Sequence, residues 1–218
     1  MKTDLKHIAT IQTGLFAKPI AKGDIVYLQA KHFDENGQLK TSLHPDLKVD
    51  TITDKHMLRH GDVLFAAKGT KNFAAWFDPS MFQNHLSEND NMRTLSDQNK
   101  INDTEKKTNQ PAVASTSFFV IRMQQDFSNK ILPEFLVWLI NHPTTQKLLK
   151  GKAIGSSIVS ISKTVLEELE ISIPNIETQK VILKITNLRN TEIKLKKQID
   201  SLREQQIQSK LLAIMNYE

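Results

Sequence analysis

The last forty-odd residues constrain this chain most. Stepping alternately by four and three from Val181 lands on Ile185, Leu188, Glu192, Leu195, Ile199 and Leu202. Six of those seven positions are apolar, which is the 3.5-residue period of a helix that buries one narrow stripe against a partner. Beyond Leu202 the register falls on Gln206 and Ser209, while Ile207, Leu211 and Ile214 continue the stripe about one position late, as an irregularity in the repeat would produce. Lys, Arg, Gln and Glu fill the other faces, and no Gly or Pro follows Pro174. The start is marked too: Pro174 stops the strand-like residues 170–173, Asn175 can cap, and Glu177 puts negative charge in the first turn. The pattern predicts one helix from Asn175 to Ile214, a rod of roughly 57 Å. Such a helix either pairs with another through Val181, Ile185, Leu188, Leu195, Ile199 and Leu202, or folds back on its own head. The narrowness of the stripe favours the first.

The remaining 174 residues suffice for one substantial core, and 39% hydrophobic with 24% charged residues is ordinary for a globular chain. No apolar run approaches the roughly 18 residues needed to cross a bilayer, and the N-terminus lacks the basic and apolar regions of a signal peptide. A cytoplasmic protein without a membrane partner is expected. With no cysteine, disulfides, thiolate catalysis and cysteine-ligated zinc are excluded.

A net charge of +5 favours an anionic partner, but its distribution matters more than the total. Residues 178–218 hold eight Lys/Arg against four Asp/Glu, so the stalk supplies +4 and the head only +1. Within the head, residues 143–163 carry Lys147, Lys150, Lys152 and Lys163 with no acid, and residues 1–72 carry eleven basic against eight acidic residues. A basic face opposite an acidic one is compatible with those numbers.

Along the head, residues 25–29 follow a loop with Gly14, Pro19 and Gly23 and have strand character. Residues 63–67 form an apolar run short enough for a buried strand, with 74–77 as its partner across a turn at 68–73. A third strand is expected over 112–123. The period then changes to 3.6: Pro133 opens a short helix with Phe135, Leu136, Leu139 and Ile140 on one side, and Pro143 ends or bends it before another at 144–150. Ser162 is a candidate cap for a helix over 163–169, ahead of the last strand. Mixed strands and helices without regular βαβ alternation give an α+β fold, with a globular domain over 1–174 and the long coiled-coil helix over 175–218. Residues 83–110 stand apart as a polar insertion; nine of those 28 residues are Asn or Gln, and a mobile loop is expected.

The order of short phrases along the head carries a family resemblance. Residues 61–66 (Gly-Asp-Val-Leu-Phe-Ala) are followed by Gly69, then 111–115 (Pro-Ala-Val-Ala-Ser) leading into 118–122 (Phe-Phe-Val-Ile-Arg). Residues 133–139 (Pro-Glu-Phe-Leu-Val-Trp-Leu) with Gln146, residues 155–162, residues 171–174 (Ile-Ser-Ile-Pro) and Gln179 complete the series. Each phrase alone is unspecific, but in this order before a coiled-coil helix the chain resembles the specificity subunit of Type I restriction-modification systems over nearly its whole length. The resemblance implies a target recognition domain that reads double-stranded DNA. It further implies a helical region that spaces two such domains and docks the modification (methyltransferase) subunits and, through them, the restriction subunit. Family members commonly carry two recognition domains and two helical regions; one of each here makes a half-length form, for which a homodimer with antiparallel stalks is the natural inference.

On that reading, basic side chains set register on phosphates and loop side chains enter the major groove. The expected DNA-binding residues are Gln12, Lys18 and Lys22 in the loop before the first strand, Lys68, Lys71 and Asn72 in the hairpin turn, and then Ser115, Lys152 and Ser156. Trp76 and Trp138 are expected in the core rather than as stacking platforms, and Gly61 and Gly69 as turn formers. Catalytic patterns are not met. His56 and His60 have helical-pair spacing, but Met57 stands where a metalloprotease places Glu, and residues 69–71 lack the order of a phosphate loop. No catalytic residue, metal or cofactor is expected, and chemistry would belong to partners. A non-DNA coiled-coil scaffold and a small metal-dependent nuclease are the competing classes.

Overall fold

In the computed structural model of the protein, residues 1–34, 37–40, 43–68, 72–82, 110–153 and 160–215 are described. The chain divides into two compact units, Met1–Pro174 and Asn175–Glu218. The first is mixed α and β, in agreement with the α+β class expected from sequence. Its elements are β1 (Lys2–Asp4), β2 (Ala9–Thr13), β3 (Val26–Leu28), β4 (Val63–Ala66), β5 (Ala74–Trp76), β6 (Ala112–Ala114), β7 (Phe118–Met123), α1 (Pro133–Asn141), α2 (Pro143–Gly151), α3 (Lys163–Glu167) and β8 (Glu170–Ser172).

The main sheet has the order β2-β7-β4-β5, antiparallel throughout. Strand β4 is buried at all four positions, which is why it is a continuous apolar run rather than an alternation. Helix α1 packs against β4 and β5, and its Asn141 amide pairs with the edge strand: the Ala74 N–H donates to Oδ1 at 2.7 Å while Nδ2 donates to the Ala74 carbonyl at 2.8 Å. That side chain occupies backbone groups that an edge strand would otherwise leave open. Strands β3 and β6 form a separate parallel pair. Alternate residues of this pair serve two cores, as the two-residue period of a strand requires. Val26, Leu28, Ala112 and Ala114 join the larger cluster with Leu64, Phe77 and Val120, and Ile25, Tyr27 and Val113 join a smaller one with Leu47. Phe33, Phe73 and Phe118 meet in the larger core with ring centroids 5.7–6.1 Å apart. Strands β1 and β8 pair antiparallel and bring the two ends of the unit together.

Two local expectations are corrected. The segment 112–123 is two strands, not one: Phe118 N–H donates to the Ser115 carbonyl at 2.9 Å, closing a turn that sends β6 to β3 and β7 into the main sheet. The N-terminal residues form β1 and β2, so Gln12 lies within β2 rather than in a loop before the first strand. Three- and five-residue strands carry too few alternations to stand out from loop, and their pairing to partners over a hundred residues away decides them. The hairpin of β4 and β5, the helix opened by Pro133 and the Ser162 cap are as expected, with Ser162 Oγ accepting from the Val165 N–H at 3.2 Å, whereas Pro143, expected to end or bend the first helix before another at 144–150, itself opens α2. Of the polar insertion 83–110, only Gln110 is among the described residues.

The second unit is the helix α4 (Ile176–Met215), 40 residues or about 60 Å long. Asn175 caps it by accepting from the Thr178 N–H at 2.8 Å, and Glu177 lies in the first turn, ion-paired to Lys180 at 2.9 Å. Val181, Ile185, Leu188, Leu195, Ile199 and Leu202 are all exposed. Glu192, the polar member of that stripe, is drawn toward Lys196 at 2.6 Å.

Candidate nucleic-acid interface

The antiparallel order puts the C-terminal ends of β2 and β4 beside the N-terminal ends of β5 and β7, so three connecting segments meet at one end of the main sheet. The first is the turn 115–117 between β6 and β7. Its Ser115 and Ser117 hydroxyls are hydrogen-bonded at 2.6 Å, and the Ser115 N–H donates to the Leu28 carbonyl at 2.8 Å. The second is the turn after β4, where the Ala67 N–H donates to the Ser117 carbonyl at 3.0 Å. The third is the segment entering α3: the Ile161 N–H donates to the Ala67 carbonyl at 3.0 Å, and Lys68 and Ser160 form an antiparallel bridge.

A fourth segment, the loop 14–24, starts against the same turn. The Gly14 N–H donates to the Phe118 carbonyl at 3.0 Å and Leu15 bridges Ser115. A Cβ at Gly14 would collide with the carbonyl oxygens of Ala114 and Ser115, so only glycine lets this loop lie so close. Further along, the Tyr27 hydroxyl donates to the Leu15 carbonyl at 2.9 Å and accepts from the Ala17 N–H at 3.3 Å. The Ile20 and Gly23 N–H groups donate to the Asp46 and Pro45 carbonyls at 2.8 and 3.0 Å. The loop is thus fixed along its length while Lys18 and Lys22 remain exposed.

The structure therefore brings together Lys68, Asn72, Ser115 and the base of the loop bearing Lys18 and Lys22. Lys152, exposed, closes α2 upstream of Ser160. Among the described residues, no ion pair engages Lys18, Lys22, Lys68 or Lys152, whereas Lys2, Lys6 and Lys163 are paired to Glu170, Asp4 and Glu167. The first four are therefore available to phosphates. Gln12, half-buried, donates through Nε2 to the Lys55 carbonyl at 3.0 Å, which leaves its amide oxygen to act. Asn72 is 8% exposed and donates through Nδ2 to the Ala66 carbonyl at 2.9 Å, the geometry of a residue that ties its own turn. Ser115 is also buried, its hydroxyl engaged with Ser117. Lys71 and Ser156 lie outside the described residues, as does Gly69.

At the opposite end of the sheet sits a group that the sequence did not single out. The Arg122 guanidinium reaches the buried Asp62 carboxylate, holding the start of β4 to the end of β7. Nearby, His60 Nδ1 is 3.7 Å from Asp78 Oδ1 and its ring lies edge-on to Trp76. The Asp78 carboxyl is held below the usual range, chiefly by the Ser80 N–H. Only pairing across 60 residues reveals the Asp62–Arg122 contact, so no local pattern could have found it.

Residues 104–203 match the family described as the Type I restriction modification DNA specificity domain. No curated protein is significantly similar to the chain. Among solved structures, the fold is similar to the Type I restriction-modification S subunit of M. genitalium, with a TM-score of 0.51, 14% identity, and coverage of 88% of this chain and 39% of that one. It is similar also to the HsdS subunit of Thermoanaerobacter tengcongensis, with a TM-score of 0.57, 19% identity, and coverage of 90% and 44%. A third match, described as addressing complex assembly and conformational transition of the type I R-M system, has a TM-score of 0.58, 18% identity, and coverage of 90% and 44%. The chain thus spans about two fifths of the length of the solved relatives it matches. The resemblance to Type I specificity subunits, first carried by the phrases of the head, is borne out by the family match and the fold.

Proposed function

We propose that the unit 1–174 is a target recognition domain that reads one half of a bipartite site in double-stranded DNA, a reading supported by the match of residues 104–203 to the Type I restriction modification DNA specificity domain. One observation carries the reading: at a single end of the main sheet, the loop with Lys18 and Lys22, the Lys68 turn and the Ser115–Ser117 turn interlock through backbone hydrogen bonds. Lysines on anchored loops give phosphates a fixed cationic register, and side chains between them reach base edges. Lys152 extends the cationic set, and Asn72 and Ser115 act as the internal ties of that surface.

The helix α4 supports the second half of the proposal. Its exposed stripe from Val181 to Leu202 needs an apolar partner, and a second copy of the chain supplies one. Antiparallel pairing along the whole helix separates the two helix N-termini by about 60 Å. That exceeds one turn of duplex, about 34 Å, which suits two short tracts flanking an unread spacer. Two-fold symmetry makes those tracts inverted copies. The protein acts as a non-catalytic cytoplasmic component: methyl transfer and cleavage belong to modification and restriction subunits that dock on the dimer.

A mobility-shift titration of the full chain with random-sequence duplex over a salt series tests this. DNA binding weakens steeply as salt rises because phosphate contacts release counterions. A scaffold that acts only on proteins gives no shift at any salt, and a nuclease shortens the duplex when magnesium is added.

A further inference from the structure

Phe16 is 75% exposed, the most exposed of the large hydrophobic side chains among the described residues of the head. Its surroundings make that exposure unusual. The Leu15 N–H donates to the Ala114 carbonyl at 2.8 Å, and the Tyr27 hydroxyl bonds both the Leu15 carbonyl and the Ala17 N–H. The backbone is thus tied on both sides of Phe16, so the loop cannot shift there without breaking those bonds. Residues 14–23 contain Lys18 and Lys22 and no acid, and Ile20 is also exposed. An exposed aromatic ring on an anchored cationic loop is matched to a surface that is anionic outside and apolar within. A DNA groove has that character, with phosphates at its rim and base edges, including the thymine methyl, on its floor.

We propose that Phe16 is a specificity-determining residue of this protein: it enters the groove between phosphates held by Lys18 and Lys22 and makes apolar contact with a thymine C5 methyl. The inference rests on the DNA-reading function proposed above. It differs from the lysine contacts in kind, because a phosphate contact strengthens binding to every sequence while a methyl contact strengthens binding to one. A protein partner for the same loop would need an acidic surface with an apolar hollow, and wild-type protein that shifts no duplex at any salt is the outcome that would favour it.

The test uses the full chain and a duplex selected from a random pool by the wild-type protein. Phe16→Ala is expected to weaken binding to that duplex about tenfold, while melting temperature, affinity for random duplex and salt slope stay at wild-type values. Phe16→Tyr, which keeps the ring, is expected to bind as wild type does; Phe16→Leu replaces Phe16→Ala should the latter melt early. Replacing the contacted thymine by uracil, which deletes only the methyl, should weaken the wild type to the level of Phe16→Ala and leave Phe16→Ala unchanged. Equal binding by Phe16→Ala and wild type overturns the inference while the DNA-reading function stands, as does a loss of equal size on selected and random duplex. Wild-type protein that shifts no duplex at any salt overturns the DNA-reading function and this inference with it.

Discussion

The Arg122 guanidinium holds the Asp62 carboxylate by both of its oxygens, Nε donating to Oδ1 at 2.8 Å and Nη2 to Oδ2 at 2.6 Å. Asp62 is 2% exposed, and the Arg59 N–H donates to the same Oδ2 at 2.8 Å. Arg122 Nη2 also donates to the Met57 carbonyl at 2.9 Å. The hydrogen bond to Asp62 is the largest influence on Arg122 and pushes its pKa up, so the guanidinium stays charged in the fold. Together these bonds hold the turn before β4 on β7, and with it the central strands of the sheet whose far end carries the candidate interface.

Removing one partner leaves the other buried without its counter-charge. Arg122→Met is therefore expected to lower stability by about 3 kcal/mol in a denaturant titration, and Arg122→Met with Asp62→Leu to recover part of that loss. A full-size loss in the double variant would show that the pair matters beyond charge compensation.

His32 makes stability sensitive to mild acid. Burial is the main cause of its lowered pKa, helped by Lys31 and Lys40 and opposed by Asp46. The Gln29 N–H donates to its Nδ1 at 3.2 Å, which requires that nitrogen unprotonated. Because the folded pKa lies below the unfolded one, the contribution is complete above about pH 6.5 and is lost as pH falls through the lowered folded value. Denaturant midpoints compared at about pH 7.5 and about pH 5 should fall in the wild type and fall less in His32→Gln.

Lys18 and Lys22 should act on DNA without regard to sequence. Replacing both by Gln is expected to weaken selected and random duplexes alike and to reduce the salt slope by about 0.9 for each phosphate that is no longer neutralised. An unchanged slope would remove these lysines from the interface.

The stalk should respond to salt in the opposite sense. Arg189, Lys196 and Arg203, spaced by seven, form a basic row along one flank of the stripe. In a homodimer these rows repel where they approach, so self-association is expected to tighten as salt rises while DNA binding weakens. Leu188→Glu with Leu195→Glu is expected to give monomers in analytical ultracentrifugation without lowering the melting temperature of the head.

Much of this architecture was legible because the relevant signals repeat within a short window. The helix from Asn175 onward shows its period six times over and carries its own cap, and the apolar run 63–66 needs no partner to be recognised as buried. The signals that failed are non-local. Strand β2 exists because it pairs with β7, over a hundred residues away, and the break in 112–123 exists because β6 and β7 pair with different strands. The same holds at the interface. Lysines on loops at 18, 22 and 68 were visible as charges, but the burial of Asn72 and Ser115 follows from turns that interlock only in the fold. The anchoring of Phe16 by Tyr27 and the edge cover that Asn141 gives Ala74 likewise leave no trace in a linear pattern.

In the proposed dimer, two copies joined through α4 each bring a reading head to DNA. Selection of bound duplexes from a random pool, followed by sequencing, tests it most directly. Two short tracts in inverted orientation are expected, separated by a spacer of one length and no preferred sequence. Recovery of a single uninterrupted tract, or of two tracts at variable spacing, would contradict it.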